Sequence, residues 1–235
     1  MVNLLTQLLR KIRFLIMLFK TPKYRRHILP WLISQYPNYV FDRRIPWLVF
    51  EAIKYLEHTP IESKTIFEYG SGASTLYWLK RGAKCVSVEH DPQWAAKVQK
   101  HLSEHPSIDY RIVPPQTETP STKNRSNDPH AYISNDTRYH AMSFKAYVQQ
   151  IDEFEDESFD LVLIDGRARP SCIQHACRKV RQGGILILDD SDREYYHQKT
   201  GDFLRNFSRI SFEGPGPTIP LIWRTDIFVR TPVVL

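Results

Sequence analysis

Acidic residues that end predicted β-strands are the side chains of this sequence best placed for chemistry. They are Glu68, Glu89, Asp165 and the pair Asp189-Asp190. In an open α/β sheet, ligands bind at the carboxyl ends of the strands. One acid at such a place commonly caps a helix or faces water. Acids at four separate strand ends predict a binding site.

A glycine turn separates the first two of these acids. Three β-forming residues lead to Glu68, then Gly70-Ser71-Gly72 interrupts the extended pattern, and a helix starts near Ser74 or Thr75. A second strand with alternating apolar residues follows and ends at Glu89. The stretch therefore predicts one βαβ half of a nucleotide-binding sheet.

The rest of the chain supplies further elements of such a sheet. Strands are predicted near residues 110–113, 159–164, 185–188, 208–212 and 223–230, and helices near 46–58, 93–103, 142–151, 171–181 and 192–206. The nearly all-apolar run Ile185–Leu188 is typical of parallel strands buried on both faces. Residues 114–140 show little periodicity. This long loop, with His130, Tyr132, Tyr139 and His140, predicts either a lid over a substrate or a disordered insertion.

Charge divides the chain into two parts. Residues 1–60 hold 10 Lys and Arg against 3 Asp and Glu, whereas residues 61–235 hold 22 against 23. The body of the protein is therefore not basic, which speaks against a nucleic-acid partner. We predict an N-terminal extension, residues 1–45, and one α/β domain, residues 46–235, long enough to bury a full core.

The first 20 residues predict a basic amphipathic helix, with an apolar face formed by Leu4, Leu5, Leu8, Leu9, Ile12, Leu15, Ile16 and Phe19. No apolar run is long enough to span a bilayer or to resemble a signal peptide. The helix either packs on its own domain or a second subunit, or lies in a membrane interface. The sequence has three cysteines, and their spacing suits no zinc motif, which favours a reducing compartment such as the cytosol. We predict a cytoplasmic protein, with peripheral membrane contact or homo-oligomerisation through this helix left open.

The ligand of the glycine turn is a dinucleotide or S-adenosylmethionine. A dinucleotide site needs the pattern G-x-G-x-x-G, but Thr75 stands at the third glycine position. Glu68 would place a carboxylate near a pyrophosphate, whereas it could pair with the ammonium group of S-adenosylmethionine. Glu89 can accept hydrogen bonds from ribose hydroxyls in either class. The residues around the turn favour the sulfonium cofactor.

The motif Glu68-Tyr69-Gly70-Ser71-Gly72 matches E/D-x-G-x-G, and residues 46–230 resemble the class I S-adenosylmethionine-dependent methyltransferases. The chain is also similar to a mostly uncharacterised bacterial subfamily through EYGSGASTLYW, SVEHDP, FDLVLIDGRARPSC, GGILILDD and GPGP. The resemblance implies a Rossmann-like, three-layer α/β sandwich with a mostly parallel seven-stranded sheet. A helical N-terminal extension would precede it.

The resemblance also implies cofactor contacts. The expected cofactor-binding residues are Glu68, Gly70, Ser71, Gly72, Ser74, Thr75, Glu89, His90 and Asp165. The residues of the turn would surround the methionine part, Glu89 would bind the ribose, and His90 would lie near the adenine. No acidic counterpart of the usual adenine contact follows the third strand, where Pro114-Pro115-Gln116 stands.

Methyl transfer to a hydroxyl needs a base or a metal that helps to remove its proton. Asp165 is the first candidate for the catalytic base, and Asp189 or Asp190 should point into the same cleft. One acid after the fourth strand and an acidic pair after the fifth also resemble the magnesium site of catechol-type O-methyltransferases. Asp165, Asp189 and Asp190 are therefore a hypothetical Mg²⁺ site. The alternative is one base plus acids that cap helices.

Arginines, tyrosines and a histidine near these acids are candidates for contact with the acceptor. Arg167 and Arg169 could clamp a carboxylate or phosphate of the substrate, or they could pair with the local acids. His197, with Tyr195 and Tyr196, is a second acceptor-side candidate, although a solvent-facing helix also explains these residues.

The function predicted from these features is S-adenosylmethionine-dependent methyl transfer, at oxygen, to a small-molecule or glycan-linked acceptor. One alternative is an NAD(P)-dependent oxidoreductase. Another is a non-catalytic ligand-binding or membrane-associated protein with the same fold. A nucleic-acid methyltransferase is disfavoured because no Asn/Asp-Pro-Pro-Tyr/Phe motif is present.

Overall fold

The computed structural model describes residues 4–103, 105, 108–117 and 126–231. The helices are α1 (Leu4–Lys20), α2 (Ile28–Ile33), α3 (Tyr39–Arg43), α4 (Phe50–Glu57), α5 (Ala73–Lys80), α6 (Pro92–Leu102), α7 (Lys145–Val148) and α8 (Arg169–Ala176). The strands are β1 (Thr65–Tyr69), β2 (Lys84–Glu89), β3 (Asp109–Ile112), β4 (Gln116–Thr117), β5 (Met142–Ser143), β6 (Phe159–Ile164), β7 (Val180–Leu188), β8 (Phe207–Pro215) and β9 (Ile222–Arg230). Short 3₁₀ turns connect several of them.

Seven strands form one sheet in the order β3-β2-β1-β6-β7-β9-β8. Strands β3, β2, β1, β6 and β7 are parallel, and the hairpin β8–β9 is joined to β7 in antiparallel pairing. The predicted α/β fold with a mostly parallel seven-stranded sheet is confirmed. Strands β4 and β5, which the sequence analysis did not predict, form a separate antiparallel pair.

Two apolar cores lie on opposite faces of the sheet, because side chains alternate along each strand. In β1, Ile66 belongs to the core beneath α4 and α5, whereas Phe67 and Tyr69 belong to the core beneath α7 and α8. The same alternation runs through β6 and β7. The buried central strands thus read as continuous apolar runs, and the molecule has three layers.

The N-terminal extension is helical, as predicted. Helix α1 packs through the buried residues Phe14 and Leu18, and the Phe14 ring lies 5.1 Å from that of Trp31. Trp31 Nε1 in turn donates to the carbonyl of Ile219, which lies in the turn between β8 and β9. Because β9 starts beside the end of β7, this turn lies at the edge of the sheet that holds the carboxyl ends of the parallel strands. None of the described helices is both long and apolar enough to cross a bilayer.

The prediction of a last helix near residues 192–206 is wrong. The segment contains only the 3₁₀ turns Glu194–Tyr196 and Gly201–Leu204. Asp190 adopts a left-handed backbone with φ 49°, and Ser191 N then donates to the carbonyl of Arg224 at 2.8 Å. The start of β9 therefore takes up a backbone group that would otherwise help to start a helix.

The helix predicted at residues 171–181 also ends early. Helix α8 stops at Ala176, and β7 already begins at Val180. Gly183-Gly184, read as a helix stop, instead lies inside β7, where the pairing with β6 shifts register. A Cβ at Gly184 would come within 2.8 Å of the Asp160 carbonyl, so this irregular strand start requires a glycine.

Candidate active site

The glycine turn after β1 is fixed by close contact with the loop after β6. Gly70 has φ +93°, and its N–H donates to the Val88 carbonyl at 2.9 Å. A Cβ on Gly70 would lie 2.9 Å from the carbonyl carbon and oxygen of Asp165 and from Gly166 N. Two strand-end loops therefore touch backbone to backbone, which only glycine permits at this position. The contact brings Asp165 next to the glycine turn.

Glu68 lies beneath this turn and is fully buried. Its carboxylate accepts hydrogen bonds from Thr75 Oγ1 (2.5 Å), Ser87 Oγ (2.7 Å) and Trp78 Nε1 (3.2 Å). The Thr75 hydroxyl also accepts from Gly72 N at 3.0 Å, which caps the start of α5. Burial raises the pKa of Glu68, although these hydrogen bonds act in the opposite direction. Glu68 thus holds the turn and the helix start from below.

Glu89, at the end of β2, holds the turn from the side. One carboxylate oxygen accepts from Ser71 N (2.9 Å) and Ser71 Oγ (3.1 Å). The other accepts from the backbone N–H groups of His90 and Asp91, each at 2.8 Å. Burial acts to raise the pKa of Glu89, but the His90 imidazole, whose Nδ1 lies 2.9 Å from Oε1, and the backbone hydrogen bonds from Asp91 and Ser71 outweigh it and lower the pKa. Glu89 is therefore an ionised carboxylate on the wall of the site.

Aromatic rings surround His90. The rings of Tyr139, Phe144 and Tyr147 lie with their centroids 5.3, 5.7 and 5.8 Å from the imidazole. On the other side of the glycine turn, Trp94 Nε1 donates to the carbonyl of Ser71 at 2.8 Å. A flat heterocyclic ring could stack in such surroundings.

A guanidinium group organises the acids that follow β6 and β7. Arg169 Nη2 lies 3.0 Å from Asp165 Oδ1 and 3.1 Å from Asp190 Oδ2, and the Arg169 side chain is almost fully buried. Arg169 also donates to the backbone carbonyls of Gly166 and Asp189. Asp190 pairs in addition with Arg193 at 2.9 Å. The cluster Asp165, Asp190 and Arg169, here called the acid cluster, is thus partly neutralised from within.

Asp189 is separated from that cluster by the direction of its side chain. Its Oδ1 accepts from Thr225 Oγ1 at 2.5 Å and from Trp223 Nε1 at 3.1 Å, both on β9. Burial, with the nearby Asp190 carboxylate, raises the pKa of Asp189 to about 7. Burial and the Asp189 carboxylate also raise the pKa of Asp165, against the effect of Arg169.

Two neighbouring hollows open at this edge of the sheet. The first, here called the turn hollow, has a volume of about 300 Å³ and is lined by the glycine turn, Glu89, His90 and Asp165. The second, here called the outer hollow, has a volume of about 440 Å³. Gly166 and Arg167 line both. A larger hollow of about 660 Å³ lies at the opposite ends of the strands, beside Lys64 and Asp160, and contains none of the predicted site residues.

A family model described as a methyltransferase domain matches residues 67–191, more than half of the 235 residues. The chain belongs to this family. The match and the sheet order confirm the predicted class I S-adenosylmethionine-dependent methyltransferase and favour it over an oxidoreductase. No protein with a curated function matches the sequence significantly.

Solved structures share the fold of this methyltransferase. A protein from Klebsiella pneumoniae with the provisional description O-methyltransferase is 16% identical, with 82% of this chain and 90% of that chain covered and a TM-score of 0.56. Cofactor-bound Rv0187 from MTB is 18% identical, with coverage of 86% and 89% and a TM-score of 0.52. The O-methyltransferase TomG from Streptomyces achromogenes, solved with S-adenosylmethionine, is 14% identical, with coverage of 73% and 75% and a TM-score of 0.50. At such identities the likeness establishes the fold alone.

The structure of the methyltransferase brings most of the predicted cofactor residues to the turn hollow. Those lining it are Gly70, Ser71, Gly72, Ser74, Glu89, His90 and Asp165. Glu68 and Thr75 do not line it, because their side chains are bonded to each other beneath the turn. The catalytic candidate Asp189 lines neither hollow, since it faces β9.

Arg167 and Arg169, both predicted to contact the acceptor, differ in their surroundings. Arg169 is occupied by the acids and carbonyls of its own loop, so it matches the alternative expectation of a residue that holds the loop. Arg167 pairs with Asp136 at 3.2 Å and lines both hollows, and its buried Nε has no hydrogen-bond partner among the described residues. Arg167 is therefore the better placed of the two to meet a ligand.

The predicted lid loop contributes only part of its length to the site. Residues 118–125 lie outside the described residues. The described part supplies one side of the outer hollow, and Tyr139 lines the turn hollow. Tyr132 and His130 instead bond to His175 and Gln174 of α8. Tyr195 and Tyr196 line the outer hollow, whereas His197 lies against Ser191 and Asp226 and lines neither.

The residues that the sequence analysis missed come mainly from the N-terminal extension and from α6. Val40, Phe41, Trp47, Trp94 and Arg138 all line the turn hollow. The Phe41 and Trp94 rings lie 5.8 Å apart and cover the glycine turn. Trp94 directly follows the helix start at Asp91-Pro92, which is a usable signal, but no local pattern marks Phe41 or Trp47.

The predicted Mg²⁺ ligands do not fit a metal site. Asp165 and Asp190 already share the positive charge of Arg169, and Asp189 is bonded to Trp223 and Thr225. A divalent ion would have to stand beside this guanidinium group. In the part of the chain that the structure describes, no three His, Cys, Asp or Glu residues are grouped so as to hold a metal ion. No step is therefore assigned to a metal.

Proposed function

We propose that the protein transfers the methyl group of S-adenosylmethionine to a hydroxyl oxygen of a small, polar acceptor, at the junction of the two hollows. The observation that carries the proposal is the position of Asp165. Its side chain lines the turn hollow, and the next residues, Gly166 and Arg167, line both hollows. A carboxylate thus stands where a donor on one side would meet an acceptor on the other.

The turn hollow is the proposed cofactor site. Gly70, Ser71, Gly72 and Ser74 would surround the methionine part of the cofactor, Glu89 would accept from ribose hydroxyls, and His90 with its aromatic neighbours would contact the adenine. The fit is supported by an ionised carboxylate at Glu89 and by backbone at the glycine turn that a ligand can approach closely. When bound, the cofactor supplies an electrophilic methyl group on a sulfonium.

The position of Glu68 changes one predicted contact. Its carboxylate lies below the turn and already accepts three hydrogen bonds from side chains, so it is poorly placed to meet an ammonium group directly. Asp165, which was predicted to contact the cofactor as well as to act in catalysis, lines the same hollow. It is the carboxylate that could meet the ammonium if it is not the base.

The outer hollow is the proposed acceptor site, and its polar lining favours a hydroxylated molecule. Its wall includes Ser134, Asn135 and Asp136 from the loop before β5, with Arg193 and Tyr195 from the segment after β7. Hydroxyl, amide and carboxylate groups hydrogen-bond to the alcohols of a saccharide, and a tyrosine ring can pack on a sugar face. These features support a small saccharide or a glycan-linked acceptor.

Asp165 is the proposed catalytic base. The acceptor oxygen would attack the methyl carbon, the carbon–sulfur bond would break with its electron pair moving to sulfur, and Asp165 would take the hydroxyl proton. A base works best when its pKa lies near the working pH. Burial and the nearby Asp189 carboxylate raise the pKa of Asp165 towards that range, and Arg169 fixes one of its oxygens.

The test combines cofactor binding with methyl transfer. Calorimetric titration of the whole chain should show binding of S-adenosylhomocysteine and no binding of NADH, and Glu89→Ala should weaken the former by at least about tenfold because one buried charged partner is lost. Transfer of labelled methyl groups should then be screened over saccharides, glycosides and phenols. Labelling at nitrogen, or of phenols alone, would contradict the proposed acceptor chemistry. Binding without transfer to any acceptor would favour the non-catalytic alternative.

Chelation tests the metal question independently. Because Arg169 occupies the place between the two acids, we expect transfer to be unchanged after thorough treatment with EDTA. A loss of activity that Mg²⁺ restores would contradict this expectation.

A cytoplasmic location and self-association through α1 stay predictions, and nothing in the charge of residues 61–235 favours nucleic acid as a partner.

A further inference from the structure

Helix α1 has two apolar surfaces, and the fold buries only one of them. Phe14 and Leu18 face the rest of the N-terminal extension. A second set, here called the α1 stripe, is at least 44% exposed and consists of Leu4, Leu8, Leu9, Ile12, Ile16 and Phe19. At 100° per residue these six positions fall within an arc of roughly 140°, and Phe14 and Leu18 lie outside it. Packing within the protein therefore buries Phe14 and Leu18 but leaves the α1 stripe exposed.

A second helix of the extension also exposes apolar side chains. Leu29, Leu32 and Ile33 of α2 are 66%, 45% and 50% exposed, although α2 is packed on α1 through Trp31. Single exposed leucines need no explanation, but several exposed apolar side chains on each of two adjoining helices are typical of an interaction surface.

The charges next to the stripe indicate what covers it. Residues 1–41 contain seven Lys and Arg and no Asp or Glu. Arg13 and Lys20 lie beyond one edge of the stripe on the helical wheel, and Lys11 lies beyond the other. An apolar stripe with a basic border is the pattern of helices that lie in the interface of an anionic membrane.

A second copy of the chain fits the surface less well. Pairing of two identical stripes about a two-fold axis would bring the same basic borders together. No acidic residue in positions 1–41 is available to pair with them. Anionic lipid headgroups, in contrast, would neutralise every border residue.

We propose that the α1 stripe inserts into the interface of a membrane that contains anionic lipids and holds the protein there as a peripheral enzyme. The extension that carries α1 is bonded to the β8–β9 turn, through Trp31 and Gln35, at the sheet edge that bears the two hollows. The proposal does not depend on the identity of the acceptor.

Flotation of the full chain with lipid vesicles tests the proposal. The protein should float with vesicles that contain phosphatidylglycerol, bind much less to pure phosphatidylcholine, and lose binding as salt is raised. Ile12→Asp should weaken binding by at least about tenfold, because it places a charge in the middle of the stripe. Thr6→Asp is the matched control, since it makes the same charge change on the opposite side of α1 and should have a smaller effect.

Three outcomes would overturn the proposal. The first is no flotation with anionic vesicles, and the second is equal loss of binding in Ile12→Asp and Thr6→Asp. The third is a dimer, seen by light scattering, that Ile12→Asp dissociates, because the stripe would then be covered by a second copy. Ile12 lines neither hollow, so unchanged thermal unfolding and unchanged S-adenosylhomocysteine binding would verify that the variant is folded.

Discussion

The glycine turn and the acid cluster lie side by side, but their carboxylates differ: Glu68 and Glu89 are buried, whereas Asp165 and Asp190 are each 28% exposed, and the two pairs are satisfied in different ways. Glu68 and Glu89 accept hydrogen bonds from hydroxyl, indole and backbone N–H groups. Asp165 and Asp190 are held by the guanidinium group of Arg169. Neutral donors fix a carboxylate without removing its charge, whereas a cation fixes it and offsets the charge.

This difference has consequences for chemistry. At the turn, the Glu89 carboxylate keeps its negative charge, which suits the binding of hydroxyl groups. In the acid cluster, one arginine replaces the positive charge that a metal ion would otherwise supply. Sequence patterns alone do not separate these two cases, because both read as acids at strand ends.

The largest expected effect comes from removing the proposed base. Asp165→Asn should lower kcat by about 10²- to 10⁴-fold, the usual contribution of a general base. Binding of S-adenosylhomocysteine, measured by calorimetry, should change little. The comparison variant is Asp190→Asn. Asp190 lines the outer hollow but not the turn hollow, and its substitution should lower kcat less than that of Asp165. If the loss in Asp165→Asn lies wholly in cofactor binding, Asp165 is a cofactor ligand and not the base.

The next largest effect tests the cation of the acid cluster. Arg169→Met leaves Asp165 and Asp190 without their shared partner, and we expect the free energy of unfolding to fall by about 3–5 kcal/mol. Part of this loss should be recovered at lower pH, where the carboxyls are protonated. Arg193→Met is the control. Its side chain is 49% exposed, so its loss should cost less than about 1 kcal/mol. An equal fall in the free energy of unfolding of both variants, measured by urea denaturation, would show that Arg169 does not organise the acid cluster.

A third prediction tests the contact between the two regions. Gly70→Ala adds a Cβ within 2.9 Å of the backbone at Asp165 and Gly166. The left-handed strain and the overlap together should cost roughly 2–4 kcal/mol of stability and impair S-adenosylhomocysteine binding. Gly183→Ala has a similar positive φ but open space around the added Cβ, so it isolates the cost of strain. Similar losses in both variants would mean that the close contact is not important.

The last prediction concerns the pH dependence of stability. The pKa of Asp189 is raised by burial from 3.8 to about 7, so the folded state binds its proton more tightly than the unfolded state does. The stabilisation from this proton is complete below pH 3.8 and is lost as the pH rises to about 7, with a slope of up to about 1.4 kcal/mol per pH unit.

Asp189→Asn should flatten that slope in urea denaturation between pH 4 and pH 8. The amide oxygen of asparagine can still accept from Trp223 and Thr225. The exposed Asp202 offers a matched control, and Asp202→Asn should leave the slope as it is. A slope that survives in Asp189→Asn would assign the pH dependence to Asp165 or another group.

Much of the fold was predictable from the sequence because its main signals are local. The buried strands β1, β6 and β7 are apolar runs, and the glycine turn and the helix start at Asp91-Pro92 are set by backbone chemistry. The prediction failed near residues 192–206, where hydrogen bonds to β9 decide the conformation. Such pairing joins residues that are more than 30 positions apart, and no local pattern reports it.

The sequence by itself determined that acids stand at four strand ends around a glycine turn, since alternation and turn residues locate each strand end. Only the tertiary structure decided where each acid lies and which donors it meets. Glu68 lies below the turn, Glu89 and Asp165 line the turn hollow, and Asp189 is turned towards β9. The physical reason is that the surroundings of a carboxylate are set by the donors around it, and these come from other strands and from the helices and loops that follow them.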